Sequence, residues 1–131
     1  MALINRETDY AIRILRSVSD GKLRSITDIC IEQEFTKPFA YKIVKKLEKA
    51  GFVGIVRGKQ GGVKLDCDLD KKSLYDIMAA VDNVQYINDC FKPGYKCEFS
   101  GNGKCGVHNN LKNLQDTMDR ELKACRMTDL I

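Results

Sequence analysis

Apolar residues recur at three-to-four spacing from the start of the chain, with Tyr10, Ala11, Ile14, Leu15 and Val18 on one face. This period predicts a helix that begins near Asn5, a good N-cap, and that Asp20-Gly21 brings to an end. Ser25-Ile26-Thr27-Asp28 reads as an acidic variant of the capping box and opens a short second helix with Ile26, Ile29 and Cys30 inward. Thr36-Lys37-Pro38 then supplies a cap and a proline within the first turn, where a missing N–H is harmless, so a third helix starts there. Its expected apolar side is Phe39, Ile43, Leu47 and Ala50. Tyr41, Lys42, Lys45, Lys46 and Lys49 occupy much of the remainder, and Gly51 supplies the stop.

The period then changes. Phe52 to Val56 is β-rich, Arg57-Gly58-Lys59-Gln60-Gly61-Gly62 is a glycine-rich turn, and Val63-Lys64-Leu65 is a short return strand, which together predict a hairpin wing. A polar connector from Asp66 to Lys72 leads to a helix capped by Ser73 with Asp76, carrying Leu74, Ile77, Met78 and Val81 inward. Between Asp82 and Gly106 the apolar pattern disappears. From Val107 it returns as Val107, Leu111, Leu114, Met118, Leu122 and Cys125, the stripe of a long amphipathic helix that needs a partner. The expected fold class is mainly α with a small β-hairpin wing. A winged helix-turn-helix DNA-binding domain covers residues 1–82, a cysteine-containing sensor loop 83–106, and a dimerisation helix with a C-terminal tail 107–131.

At 131 residues the chain can bury one proper core. Its net charge of +4 is modest, yet residues 1–65 hold 13 Lys+Arg against 7 Asp+Glu, whereas residues 66–131 hold 9 against 11. The basic excess therefore belongs to the winged half, as a phosphate-binding surface requires, although a solvated basic face gives the same count. No stretch approaches the roughly 18 consecutive apolar residues of a membrane span. Arg6, Glu7, Asp9 and Arg13 stand where a signal peptide would have its apolar core, so no membrane partner and a cytoplasmic location are expected. Six cysteines without an export signal read as reduced thiols, which bind metal or lie buried. Cys90, Cys97 and Cys105 cluster within sixteen residues; Cys30, Cys67 and Cys125 are scattered, and Cys30 reads as a small buried hydrophobe.

Two short capped helices, a lysine-bearing third helix and a glycine-tipped hairpin are the ordered parts of a winged helix-turn-helix. In that geometry the third helix enters the major groove of double-stranded DNA. Thr36, Lys37, Pro38, Tyr41, Lys42 and Lys45 become candidates for base edges, with Lys46 and Lys49 nearer phosphates. Arg57 and Lys59, with Gly61 beside them, would place the wing against the sugar–phosphate edge or in the minor groove. Feature by feature, a solvated helix face and an ordinary hairpin turn would look the same; it is their order that points to DNA. An enzyme is not expected. The alternative of another class, a small redox or electron-transfer protein, lacks a Cys-x-x-Cys pair, a nucleotide-binding glycine motif, and the fourth clustered cysteine of a ferredoxin.

Thr8-Asp9-Tyr10-Ala11-Ile12-Arg13, Lys46-Leu47-Glu48-Lys49-Ala50-Gly51-Phe52-Val53, and Val56-Arg57-Gly58 followed by Gly61-Gly62-Val63-Lys64-Leu65 carry a resemblance. The chain resembles the Rrf-two family of winged helix-turn-helix transcriptional regulators, the group of the iron–sulfur assembly regulators and nitric-oxide-sensing repressors. The resemblance implies a homodimer joined through the long helix on a roughly palindromic operator, with repression the expected sense. It also implies an iron–sulfur cluster, two-iron or four-iron, at the cysteine loop that controls DNA affinity. Cys90, Cys97 and Cys105 match the family's cysteine ligands, and His108 or Asp9 matches its variable fourth ligand. Thiolates suit such a centre, and metal binding can order a loop too glycine-rich to fold alone. The spacing of six and seven residues between successive cysteines departs from the tighter spacing of better-known members. Zinc in a Cys₃His site and a metal-free thiol/disulfide switch therefore stay open as alternatives. His108 can equally be a solvent-facing residue, and a carboxylate at Asp9 is favourable through the helix dipole alone.

Overall fold

The computed structural model describes residues 2–97 and 105–131; residues 98–104 of the expected sensor loop lie outside the described residues. Helix α1 spans Arg6–Ser17, α2 Ile26–Gln33 and α3 Lys37–Lys49, followed by strands β1 (Val53–Val56) and β2 (Gly62–Leu65), then α4 (Leu74–Ala80), α5 (Gly106–Ala124) and α6 (Met127–Leu130). Local chemistry explains the starts. Asn5 Oδ1 accepts from the Thr8 N–H at 2.9 Å to cap α1, and Ser25 Oγ accepts from the Asp28 N–H at 3.0 Å to cap α2. A full capping box stands at α4, where Ser73 Oγ accepts from the Asp76 N–H and the Asp76 carboxylate accepts from the Ser73 N–H. Thr36 caps α3 by backbone conformation only, with no side-chain bond to the helix.

The core gathers Ala11, Ile14 and Leu15 of α1, Ile29 of α2, Ile43 and Leu47 of α3, Phe52 ahead of β1, Val63 of β2 and Ile77 of α4, all essentially inaccessible. Helix α3 is turned slightly from its sequence expectation: Ala40, Ile43, Val44 and Leu47 are buried, while Phe39 is half-buried and Ala50 exposed. Because α3 packs on both α1 and α2, the small Ala40 and Val44 face the neighbouring helices, and Phe39 swings out to the rim.

The wing is an antiparallel pair in the register Val53↔Leu65 to Val56↔Gly62. It does not hang free. Arg24, in the loop before α2, donates its N–H to Val63 O at 2.9 Å and accepts from the Val63 N–H at 2.7 Å, acting as a one-residue third strand. This close approach dictates Gly62, where a Cβ would collide with the Arg24 carbonyl oxygen. Gly58 at the tip holds φ +108°, a left-handed conformation that favours glycine.

The C-terminal residues expected as a tail form α6, whose Met127 is fully buried in the core. The Leu74 N–H donates to Cys125 O at 2.8 Å and the Met127 N–H to Lys72 O at 2.9 Å, fastening this segment to the start of α4. The C-terminal half of α5 packs inward, with Leu122 buried and Lys123 over Tyr75 of α4, whereas Val107 and Leu114 nearer its start remain 59% and 57% exposed. Its long stripe is thus divided, one part serving the core and one part left bare.

Gly62→Ala is expected to destabilise the fold by about 1–3 kcal/mol through overpacking against the Arg24 main chain. Gly54→Ala, whose Cβ meets nothing within 4 Å, is expected to hold or slightly raise stability, and denaturant midpoints compare the two.

Candidate nucleic-acid interface and cysteine site

On α3, Thr36, Lys37, Pro38, Tyr41, Lys42 and Lys45 are exposed, as are Arg57 and Lys59 on the wing; Gly61 is half-buried, and a Cβ there would collide with Val56 O. Lys46 differs from its neighbours. Its ammonium lies 2.9 Å from Glu7 Oε2 and 3.4 Å from Asp82 Oδ2, so it ties α3 to the first turn of α1 and to the end of α4. Glu7 reaches Lys42 as well, with Oε1 2.6 Å from its ammonium. Hydrogen bonds from Lys42 and Lys46 hold the Glu7 carboxyl below the usual carboxylate range, and the Glu7 bond raises Lys46 above the ordinary lysine value.

An aromatic cluster braces the N-terminal end of α3. Tyr10 stacks on Phe35 with ring centroids 4.4 Å apart and meets Phe39 edge-on at 4.8 Å. Arg6 lies over both Tyr10 and Phe39, at 5.3 and 5.4 Å, and its Nη2 donates to Tyr10 Oη at 3.1 Å. Arg13 covers Tyr10 from further along α1, at 5.7 Å, and pairs with Asp9 at 3.2 Å.

Cys90 sits in a one-turn 3₁₀ segment, Asp89–Phe91, and Cys105 is the N-cap of α5, its Sγ accepting from the His108 N–H at 3.5 Å. His108 Nδ1 lies 3.4 Å from Cys90 Sγ, and the imidazole leans on the Phe91 ring at 5.0 Å. The Cys90 thiol and the His108 imidazole thus approach each other beside the Cys105 cap at the start of α5, and thiol and imidazole are donor types that suit zinc or an iron–sulfur centre. Cys97 is exposed and stands apart from them: among the described residues no three His, Cys, Asp or Glu side chains are grouped as metal ligands. Asp9 is engaged on α1 with Arg13. Among the scattered thiols, burial pushes Cys30 and Cys67 up from the ordinary thiol value.

A family model described as Rrf2, iron-dependent transcriptional regulator, matches residues 4–131. The chain belongs to the Rrf2 family. A putative HTH-type transcriptional regulator from Aquifex aeolicus (strain VF5) is 26% identical over 115 residues, covering 88% of this chain and 80% of that protein. Among solved structures, CymR (YrzC), the global cysteine regulator of B. subtilis, aligns with a TM-score of 0.74 at 19% identity over 99% of this chain and 96% of its own. T. potens IscR aligns with a TM-score of 0.66 at 21% identity, over 97% and 84% respectively. These neighbours share the fold: mostly helical, with a two-strand antiparallel wing and a long C-terminal helix. As an Rrf2 protein the chain is a DNA-binding transcriptional regulator, of a family of regulators rather than of enzymes. No described helix is long and apolar enough to cross a membrane.

Sequence reasoning located α3 and the wing but passed over Glu7, Arg6 and Arg13. The available signal was spacing: Arg6, Tyr10 and Arg13 fall at i, i+4 and i+7, one stripe of α1. Because the Glu7 carboxyl is depressed in the folded state, its contribution to stability is present above the ordinary carboxylate range and is lost as pH falls through the folded value. The melting temperature of Glu7→Gln is therefore expected to fall less than that of the parent protein between about pH 7 and about pH 3, as thermal melts at both values will show.

Proposed function

We propose that the chain acts in the cytoplasm as a homodimer on duplex DNA, with α3 in the major groove and the wing at the flanking minor groove. In this reading a metal centre at the start of α5, an iron–sulfur cluster, sets operator affinity. The observation that carries the regulatory half is the 3.4 Å approach of His108 Nδ1 to Cys90 Sγ beside the Cys105 cap. Cys90, Cys105 and His108 are its ligands together with Cys97. His108 is favoured as fourth ligand over Asp9, whose carboxylate is paired with Arg13. Support for iron comes from the description of the matched family.

Such a cluster supplies lability toward oxidants and nitric oxide at this point of the chain. The protein's own residues supply the rest. The Cys90 turn is joined to α5 through Gln115, which accepts from the Ile87 N–H at 2.8 Å and donates to Gln85 O at 3.1 Å. Asn83 continues the connection by donating to Thr8 Oγ1 at 2.8 Å and Leu3 O at 3.1 Å, at the base of the helix whose Glu7 holds Lys42. The bare Val107 and Leu114 on the same helix, with Leu111 between them, form the dimer seam in this reading. Two copies joined there present two reading helices to a roughly palindromic operator, and occupation of that operator gives repression.

Thr36, Lys37, Pro38, Tyr41, Lys42, Lys45, Arg57 and Lys59 form the contact set; Lys46 and Gly61 shape it from behind. Arg57→Ala is expected to weaken operator binding by about 1–3 kcal/mol in a gel-shift titration, and unchanged affinity would remove the wing from the interface. Protein purified without oxygen is expected to be brown and to contain iron and sulfide. Cys90→Ala and Cys105→Ala are expected to lose the iron, the sulfide and the regulation of DNA affinity. A colourless zinc protein assigns the same ligands to a structural site. A metal-free protein whose DNA affinity follows thiol oxidation assigns them to a disulfide switch.

A further inference from the structure

Four of the six cation–ring contacts among the described residues converge on one spot: Arg6 over Tyr10 and Phe39, Arg13 over Tyr10, and Lys42 over Phe39 at 5.9 Å. Tyr10 is itself held by stacking on Phe35, in the turn that leads into α3, and Phe39 by its edge-on contact with Tyr10. Arg6 and Lys42, from different helices, therefore share the ring of Phe39, which is flanked by the exposed Pro38 and follows the free Thr36 cap. We propose that Arg6 and Arg13, held over the Tyr10–Phe39 platform, form a phosphate-binding site on α1 that grips the DNA backbone beside the groove entered by α3. This rests on the assignment of α3 as the reading helix.

Three physical points carry it. A guanidinium resting on an aromatic face is pre-organised and weakly hydrated, and its planar fork matches phosphate oxygens, so little order is lost on contact. Arg6 is exposed, and its two bonds to Tyr10 Oη leave further N–H donors for an anion. Arg13 is paired with Asp9, but the partners are 41% and 49% exposed, and an ion pair in that setting is weak enough for a phosphate to replace the carboxylate. A duplex carries a charge about every 1.7 Å of its axis, so cations arrayed from Lys42 through Arg6 to Arg13 meet more than one phosphate.

The test uses the full chain and two duplexes, an operator and an unrelated sequence, titrated at several salt concentrations. The Arg6→Gln/Arg13→Gln double variant is expected to bind both about tenfold or more weakly, by a similar factor, and to show a salt slope smaller by about two than the parent. Arg6→Lys, which keeps the charge but not the fork over the rings, is expected to keep the parental slope with reduced affinity. Arg16→Gln removes one charge from the other end of the same helix, about 15 Å along the axis from Arg6, and is expected to leave the slope unaltered. If the double variant melts earlier yet keeps the parental slope, the arginines serve packing alone and the proposal is overturned. Lys45→Ala and Arg57→Ala run in parallel separate the two failures. A reduced slope in them with none in the arginine variant removes only the α1 site, whereas no change in any variant removes the reading helix and wing as well.

Discussion

Two backbone hydrogen bonds between Arg24 and Val63 make one body of the helical trio and the wing. A two-stranded hairpin alone is at best marginally stable in water, and β1–β2 has only four residues a side. Lent a third partner by the loop before α2, the hairpin is fixed in orientation relative to α3, which leads straight into it through Phe52 and Val53, both buried. Gly62 is the residue that permits the approach. The glycines of the wing thus serve two ends, since Gly58 allows the tip to turn while Gly61 and Gly62 are pressed against the protein's own main chain.

A second constraint concerns charge. A helix as rich in lysine as α3 carries repulsion of its own, and Glu7 relieves it from below by pairing with Lys42 and Lys46 together. The arrangement sorts the lysines of α3. Lys45 stays exposed, Lys42 is exposed but tethered, and Lys46 is half-buried in a pair that joins α1, α3 and the end of α4. The same first turn of α1 carries Arg6 on the aromatic platform and Thr8 beneath Asn83, so three structural connections leave from consecutive residues.

At the other end of the molecule, α5 does two things with one stripe. Its C-terminal half is anchored on α4 and by the α6 clamp, and its N-terminal half carries the Cys105 cap, the His108 imidazole and the bare Val107 and Leu114. The Cys105–His108 turn and the unpartnered apolar surface share the same helical turns, and Gln115 and Asn83 link α5 by hydrogen bonds through residues 83–87 to α1.

What the sequence determined by itself is local: where α1, α2 and α4 begin, because Asn5, Ser25 and Ser73 satisfy nearby N–H groups, and where the wing turns, because glycine is needed within a few residues. Family membership was legible for the same reason, in short runs of residues. Tertiary structure decided what depends on a distant neighbour. It turned α3 so that Ala40 and Val44 rather than Phe39 and Ala50 face inward, made a core helix of the tail around Met127, and brought His108 to Cys90 across eighteen positions while leaving Cys97 apart. It also paired Lys46 internally. Periodicity reports which face of an element is apolar, but which partner that face meets, and which charges are neutralised there, follows only from how the elements pack.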